Sequence, residues 1–271
     1  MAIEKSDALI LRVIPFRDTS KILTVYTAEQ GKVSLLAKGV RGAKPRFGAA
    51  LEMFAHADLV YYRKASRELQ LLAQASLLEA HLGLGGDPDR YAHGCAVAEF
   101  LLKALAGQEP PGRLYPLSLR TLEVLETCPH TARRSVFQAF EIKAVSFLGH
   151  RPELFRCAGC GGALDRRYGF SAHQGGVLCS DCLAGVDGAF SLDPRCLGYL
   201  QVLLRSPLAD LTGDPPSPRL LGEADRMLEL FLGMHVERFE PLRSLRLARA
   251  VAGSGPSERG VRASAVETGF D

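Results

Sequence analysis

The sequence predicts an α+β protein of more than one domain: an N-terminal five-stranded barrel, then an α-helical region that carries a four-cysteine insert. Three observations predict it. The first 80 residues alternate short β-forming runs with turn residues, and beyond residue 90 the apolar period becomes that of helices. Two Cys-x-x-Cys pairs then stand eighteen residues apart inside the helical part.

The strands come first. Ala8–Ile14, Lys21–Thr27, Lys32–Ala37, Leu59–Tyr62 and Leu69–Leu72 are short and rich in Val, Ile, Leu, Thr and Tyr. Pro15, Glu29–Gln30–Gly31 and the Gly-rich stretch from Gly39 to Gly48 separate them. Five strands in about 75 residues leave no room for crossover helices, which points to a small antiparallel barrel of the OB or SH3-like kind. Leu82–Pro88, with three glycines, reads as a flexible break and the domain boundary, so the barrel is assigned to residues 1–80. Asp87–Pro88–Asp89 reads as a linker turn and helix cap. The helical domain, residues 81–252, opens with Tyr91–Ala106, Leu114–Glu126 and Arg134–Leu148, where apolar residues recur at three and four. Helices resume over Pro194–Arg205, Arg219–His235 and Leu242–Val251, and residues 253–271 read as a disordered tail.

The cysteines are the sharpest motif. Cys157-x-x-Cys160 and Cys179-x-x-Cys182 form two knuckles, and Tyr168–Phe170 and Gly176–Leu178 between them supply a short hairpin. Four thiolates so spaced suit a tetrahedral Zn2+ with no open position, hence a structural metal in an insert at about residues 153–187. Disulfides and a redox Cys-x-x-Cys are the alternatives, and His150 and His173 are nearby substitutes for a ligand. Cys95 reads as a core filler, while Cys128 and Cys196 carry no pattern.

Charge is the second signal. The chain has 271 residues, 47% apolar and 23% charged, with a formal net charge of +3, a composition that excludes a disordered chain. No run approaches the ~18 apolar residues of a membrane span, and Arg12 breaks the only apolar run near the N-terminus, so no membrane partner and a cytoplasmic protein are expected. Residues 1–80 hold all of the positive excess, and between Gln30 and Leu51 there are Lys32, Lys38, Arg41, Lys44 and Arg46 with no acid. Bases alternating with glycine suit a phosphate backbone, and Phe47 offers a face to an unpaired base. Arg63, Lys64 and Arg67 form a second basic cluster flanking the same groove. Phe47 as a barrel anchor in a solvated loop is the alternative. No P-loop, Gly-x-Ser-x-Gly, His-Glu-x-x-His or clustered acid set is present, so no enzyme is expected.

Taken in order, Ala8–Arg12, Pro15–Phe16, Lys21–Ile22, Thr27, Gly31–Lys32, Ala37–Arg41, Arg46–Glu52, Tyr62–Lys64 and Glu68–Leu69 resemble the opening of the bacterial RecO recombination and repair mediators. Arg238–Ser244 is similar to a diverged form of that family's C-terminal basic motif, with Glu240 making it less basic. Arg17–Asp18–Thr19 stands where the family has a Gly-acid element. The resemblance implies an OB-fold, a helical domain and a four-Cys zinc site. It further implies binding of single- and double-stranded DNA, strand annealing, and a complex with RecR that helps RecA replace single-stranded DNA-binding protein (SSB). The SSB C-terminal tail is implied as a partner, and a nucleoid-associated location follows. The rival readings are a zinc-containing RNA-binding or transcription-associated OB protein, and a metal-dependent nuclease.

Overall fold

A computed structural model describes residues 2–41, 47–105, 112–164 and 167–246. Strands β1 (Ala2–Phe16), β2 (Ser20–Thr27), β3 (Gly31–Ala37), β4 (His56–Arg63) and β5 (Leu69–Glu79) close into a barrel in the order β1-β2-β3-β5-β4. Neighbours are antiparallel except β3 and β5, which run parallel over Ser34–Leu36 and Leu69–Leu71. Alternation builds its interior: Val33, Leu35 and Ala37 point in from β3, and Ala57, Leu59 and Tyr61 from β4, with Ile10, Leu23 and Val25.

One irregularity decides what the outside of the barrel presents. In β1 the register slips between Ile10 and Arg12. Before the bulge Ala8 and Ile10 face inward while Leu9 and Leu11 join the helical core; after it Val13 packs inward and Arg12 and Ile14 are exposed.

The helices α1 (Pro88–Ala104), α2 (Leu114–Thr127), α3 (Arg133–Phe147), α5 (Pro194–Arg205) and α6 (Pro218–His235) pack around α3, which is buried on nearly every side. Gln138 on α3 is fully buried yet satisfied: its amide donates to the Leu221 carbonyl at 2.9 Å and Asp225 at 2.6 Å, and its oxygen accepts from the Tyr199 hydroxyl at 2.8 Å. Three helices start alike. Asp87, Asp193 and Ser217 cap α1, α5 and α6, each followed by a proline whose missing N–H costs nothing there. The C-terminal helix expected from Leu242 begins at residue 243 and reaches the limit of the described residues, beyond which the expected tail lies.

The expected flexible break is instead a packed joint. Leu82–Gly86 forms a 3-10 turn with Leu84 fully buried, and Glu126 on α2 accepts from the Gly83 N–H at 2.8 Å and bonds His81 Nδ1 at 2.9 Å. Gly83 packs closely there, since a Cβ would lie 3.1 Å from Glu126 Oε1, while Gly85 and Gly86 face open space. Asp87 and Asp89 also do more than cap, since both grip the buried Arg133 at 2.9 Å. Barrel and helices share one apolar cluster through Leu9, Leu11, Tyr26 and Phe54. Gly94 on α1 makes room there, because a Cβ would lie 3.3 Å from Phe54.

The insert lies between α3 and α5. A three-stranded sheet of β6 (Tyr168–Ser171), β7 (Gly176–Cys179) and β8 (Phe190–Ser191), in the order β7-β6-β8, is followed on β7 by the short helix α4 (Ser180–Leu183). Among the described residues no helix is long and apolar enough to cross a membrane.

Candidate nucleic-acid interface and metal centre

The outer face of β1–β2–β3 has two ends that differ in what covers them. At the end nearest the helices, Leu9 and Tyr26 are register partners, and the Tyr26 ring meets Tyr115 of α2 edge-on at 5.3 Å. Toward the other end the register lines up Arg12, Thr24 and Ser34 in one row and Ile14, Ile22 and Leu36 in the next. Ile14, Ile22 and Leu36 belong to neither apolar core, and Ile14 is 43% exposed. Ile22 and Leu36 are half-buried, so the row is partly uncovered, and Ile3, Leu77 and Leu78 are further exposed apolar residues of the barrel.

Bases surround this face. Beyond the row, the β1–β2 turn carries exposed Arg17, whose guanidinium lies 5.2 Å from the Phe16 ring centre. The segment leaving β3 docks on that turn, because the Val40 and Arg41 N–H groups donate to the Thr19 carbonyl at 2.8 and 3.1 Å. This docking sets exposed Arg41 next to Arg17, with Nη1 3.5 Å from the Arg17 carbonyl, and leaves Lys38 exposed between them and β3. At the opposite end the β4–β5 turn arches over the start of β3, forming a groove lined by Thr24, Lys32, Ser34, Arg63, Arg67 and Gln70, with Glu68 the acid among its lining residues. Gln70 shapes that turn: it accepts from the Lys64 N–H at 2.8 Å and donates to the Lys64 and Arg67 carbonyls. Tyr61 also lines the groove, and its hydroxyl is buried without a hydrogen-bond partner, an orphan that invites a ligand or water.

The sequence-predicted contacts therefore divide. Lys38, Arg41, Lys64 and Arg67 are exposed around one face. Arg63 lines the groove but donates to Gln30 at 2.6 Å. Lys32 needs correction as a simple phosphate contact: its ammonium donates to the carbonyls of Leu102, at 2.9 Å, and Leu105, capping the C-terminal end of α1. Phe47 sits half-buried against the barrel interior, in a left-handed conformation (φ 74°) that opens a 3-10 turn, the placement of an anchoring ring. Lys44 and Arg46 lie outside the described residues. Sequence reading missed Arg12, Arg17 and the aliphatic row; for Arg12 and Ile14 the reason is the β1 bulge, which turns them outward and leaves no residue signature.

The four cysteines come together: all four sulfurs lie within 4.8 Å of one another. Cys160 and Cys179 Sγ are 3.9 Å apart, far from the ~2.05 Å of a disulfide and close to the ~3.8 Å tetrahedron edge that a 2.3 Å metal–sulfur bond gives. Backbone geometry aims them. Gly161, at φ 73°, turns the first knuckle, and its N–H donates to the Cys157 carbonyl at 2.8 Å. The Ala158 N–H donates to the Val177 carbonyl at 2.7 Å, laying that knuckle along β7. Gly176 permits this approach, since a Cβ would stand 2.3 Å from the Glu153 carbonyl oxygen. Burial pushes the Cys157 thiol up, but N–H groups of Cys160, Cys179 and Gly159 outweigh it and bring it down to about 6. Cys182, hydrogen-bonded to the other three sulfurs, is pushed up to about 12. Four sulfurs this close cannot all ionise without a cation, and the donor set fits a thiophilic metal. His150 and His173 are outside the cluster. Cys128 and Cys196 are buried, and Cys196 is pushed up to about 12 by burial. Half-buried Cys95 packs against the helical core.

Comparison with known proteins bears on both features. Residues 1–81 match the family model "Recombination protein O N terminal", and residues 85–246 match "Recombination protein O C terminal". The chain is 33% identical over 264 residues to the DNA repair protein RecO of Symbiobacterium thermophilum, covering 92% of this chain and all of that protein. It is 34% identical over 212 residues to that of Rubrobacter xylanophilus, covering 78% and 84%. Against that of Streptomyces coelicolor it is 32% identical over 252 residues, covering 91% and 98%.

Proposed function

The chain belongs to the RecO family of DNA repair proteins, and from that premise we propose that it is a DNA-binding recombination mediator working through the outer face of its barrel. The barrel is read as an OB-fold, supported by its five strands and the order β1-β2-β3-β5-β4, a fold that binds oligonucleotides on its second and third strands between the β1–β2 and β4–β5 loops. One observation carries the reading: those two loops bear Arg17 and Lys64–Arg67 at opposite ends of a face whose aliphatic row is left partly uncovered.

The mechanism needs no bond chemistry. Arg12, Arg17, Lys38, Arg41, Lys64 and Arg67 neutralise phosphates and release counterions, which is sequence-independent. Unpaired bases lie over Ile14, Ile22 and Leu36, which reject water but read no base edge. Single strands gain both terms, whereas a duplex hides its bases and gains the first. Held close with their charge screened, complementary strands anneal. In this reading RecR and the SSB C-terminal tail are the protein partners, RecA gains access to SSB-coated DNA, and the protein acts at the nucleoid in the cytoplasm. The domain division is proposed at residues 80/81. Zn2+ is proposed for Cys157, Cys160, Cys179 and Cys182, supported by the sulfur spacing. Bound there it would cross-link the two knuckles and neutralise thiolate charge, leaving no open coordination position.

The test is titration of the full chain with labelled single-stranded DNA, duplex and RNA of one length, followed by annealing of complementary strands. Single strands should bind tightest and annealing should accelerate. RNA binding better than DNA would favour the rival RNA-binding reading, and Mg2+-dependent loss of substrate would favour a nuclease.

A further inference from the structure

We propose that the polynucleotide path does not stop at the barrel but passes Lys32 into a second cleft, on the helical domain, where His150 and Arg238 receive its phosphates and Lys103 holds the rim. The inference rests on the barrel reading above and extends it to residues outside the barrel.

The structural ground is continuity. Lys32 lines the groove under the β4–β5 turn, and it also lines a separate cleft of about 510 Å3 where the C-terminal ends of α1, α3 and α6 converge. The second cleft is walled by Lys103, His150, His235, Glu237 and Arg238. Helix C-termini carry partial negative charge, and here the protein has already answered it. Lys32 caps α1, and Lys103 donates to the Glu240 and Pro241 carbonyls at 3.0 and 3.2 Å, pinning the segment after α6 across the cleft rim. That pinning holds Arg238 in place. Its backbone is left-handed (φ 53°) and its side chain is 91% exposed, with Glu237 Oε1 3.7 Å from Nε. His150 is exposed with its ring 5.5 Å from that of His235, which is itself fixed by a 2.8 Å hydrogen bond to the Ala172 carbonyl.

Ala104, Leu105, Leu148 and Val236 line the cleft together with these charged and imidazole groups, so it offers apolar surface as well as partners for backbone phosphates. Among the described lining residues Glu237 is the acid, against Lys32, Lys103 and Arg238. Lys103 also lies 3.2 Å from Glu99 Oε1, so Arg238 and the imidazole of His150 are the groups left to meet phosphate, and the shared Lys32 is what ties the cleft to the barrel groove. A strand that fills the barrel face therefore has its next few nucleotides in this cleft, and binding should depend on length beyond what one barrel covers.

The experiment titrates the full chain with oligo-dT of 8 and of 30 nucleotides over a salt series. An OB-fold covers ~4–16 nucleotides, so the short probe reads the barrel alone. In a His150→Ala/Arg238→Ala variant, the 30-mer should bind about 5- to 10-fold more weakly with a log–log salt slope flatter by about 0.7 to 1.4, one or two contacts' worth. The 8-mer should be unaffected. Glu237→Gln should do the reverse, strengthening the 30-mer only. Equal losses at both lengths, or no loss at either, overturn the second cleft. The barrel reading fails differently: an Arg41→Gln/Arg67→Gln variant that binds both probes like wild type would sink it whatever the cleft does.

Discussion

The barrel and the four-cysteine insert are both small β units attached to the same helices, but different forces hold them. The barrel encloses its own apolar cluster, with Ile10, Leu23, Val25, Leu35, Leu59 and Tyr61 at essentially zero exposure. The insert has two faces. Phe170 and Val177 face the helical core, whereas among the described residues on the knuckle side Leu178 is buried alongside Cys157 and Cys179, with Ala158, Leu164, Leu183 and Val186 partly buried against them. A single buried leucine contributes roughly 1.5–3 kcal/mol, less than the entropy of ordering even the two knuckles at ~1–2 kcal/mol per residue. The barrel therefore stands by burial, and a metal on the four sulfurs would supply what burial does not give the knuckles. Functionally, the difference separates the two signals of the sequence: the side chains proposed to meet phosphate ride on the part that holds itself, and the proposed metal would secure a different part.

The largest effect that would break this contrast is metal removal. Chelation, or Cys179→Ser, should release the bound metal and unprotect residues 157–164 and 179–186, since structural zinc contributes on the order of 10 kcal/mol to the folding of such sites. The 168–171 and 176–178 strands should lose less, because Phe170 and Val177 stay seated on α6 and its neighbours. Hydrogen exchange on full-length protein reads this directly. Barrel strands that lose protection in step with the knuckles would show that the two units are one.

A mirror experiment comes next in size. Leu35→Ala opens a cavity in the barrel interior, where such truncations cost about 2–5 kcal/mol. Denaturant stability should fall by that amount while bound metal per chain stays constant. Loss of metal in this variant would mean that the insert depends on the barrel after all.

The joint between the barrel and the helices gives a smaller, pH-dependent effect. The Arg133 side chain donates to Asp87, and burial of Asp87, which opposes ionisation, is overcome by that bond and by the Arg90 and Asp89 N–H groups, holding its carboxyl at about 2 instead of 3.8. A depressed folded pKa stabilises the folded state fully above ~4, and the contribution is lost as pH falls toward 2. The Asp87 side chain is 37% exposed, so solvent screening limits it to about 1 kcal/mol. Unfolding at pH 5 and pH 2.5 should show a steeper acid loss in wild type than in Asp87→Asn. Identical acid limbs would remove Asp87 from the account.

What sequence reading could and could not see follows the same division. All five strands and both halves of the four-cysteine cluster were legible, because alternation, turn residues and Cys-x-x-Cys spacing are local signals. The failures are non-local. Lys32 reads as one more base in an acid-free run, and nothing near it shows that its ammonium meets carbonyls some seventy residues away. Leu82–Pro88 reads as a hinge because glycine permits flexibility, but Glu126 of another element ties it down. Arg12 and Ile14 sit in a strand whose parity changes at one bulge, so simple alternation places them on the wrong faces.

The smallest stability effects carry the functional test. Arg41 and Arg67 lie at opposite ends of the barrel face and are exposed, so Arg41→Gln/Arg67→Gln should change stability by no more than about 0.5 kcal/mol. If both contact phosphate, the log–log salt slope for single-stranded DNA should flatten by about 1.4, at ~0.7 per contact, and every base sequence should weaken alike. Phe47→Ala separates anchoring from stacking. Its half-buried ring packs on the barrel interior, so its loss should cost about 1–2 kcal/mol of barrel stability, part of the 3–5 kcal/mol of a fully buried Phe, and leave the salt slope unchanged. The outcome that reverses this assignment is an intact melting curve with single-strand affinity reduced by ~1–3 kcal/mol, the signature of a stacked base. The ring would then have to leave the barrel on binding, and the aliphatic row Ile14–Ile22–Leu36 would no longer be the surface on which bases rest. Ile14→Ser checks the same point from the other side: it exposes no core and touches no charge, so it should weaken single strands and spare duplex if that row is the platform.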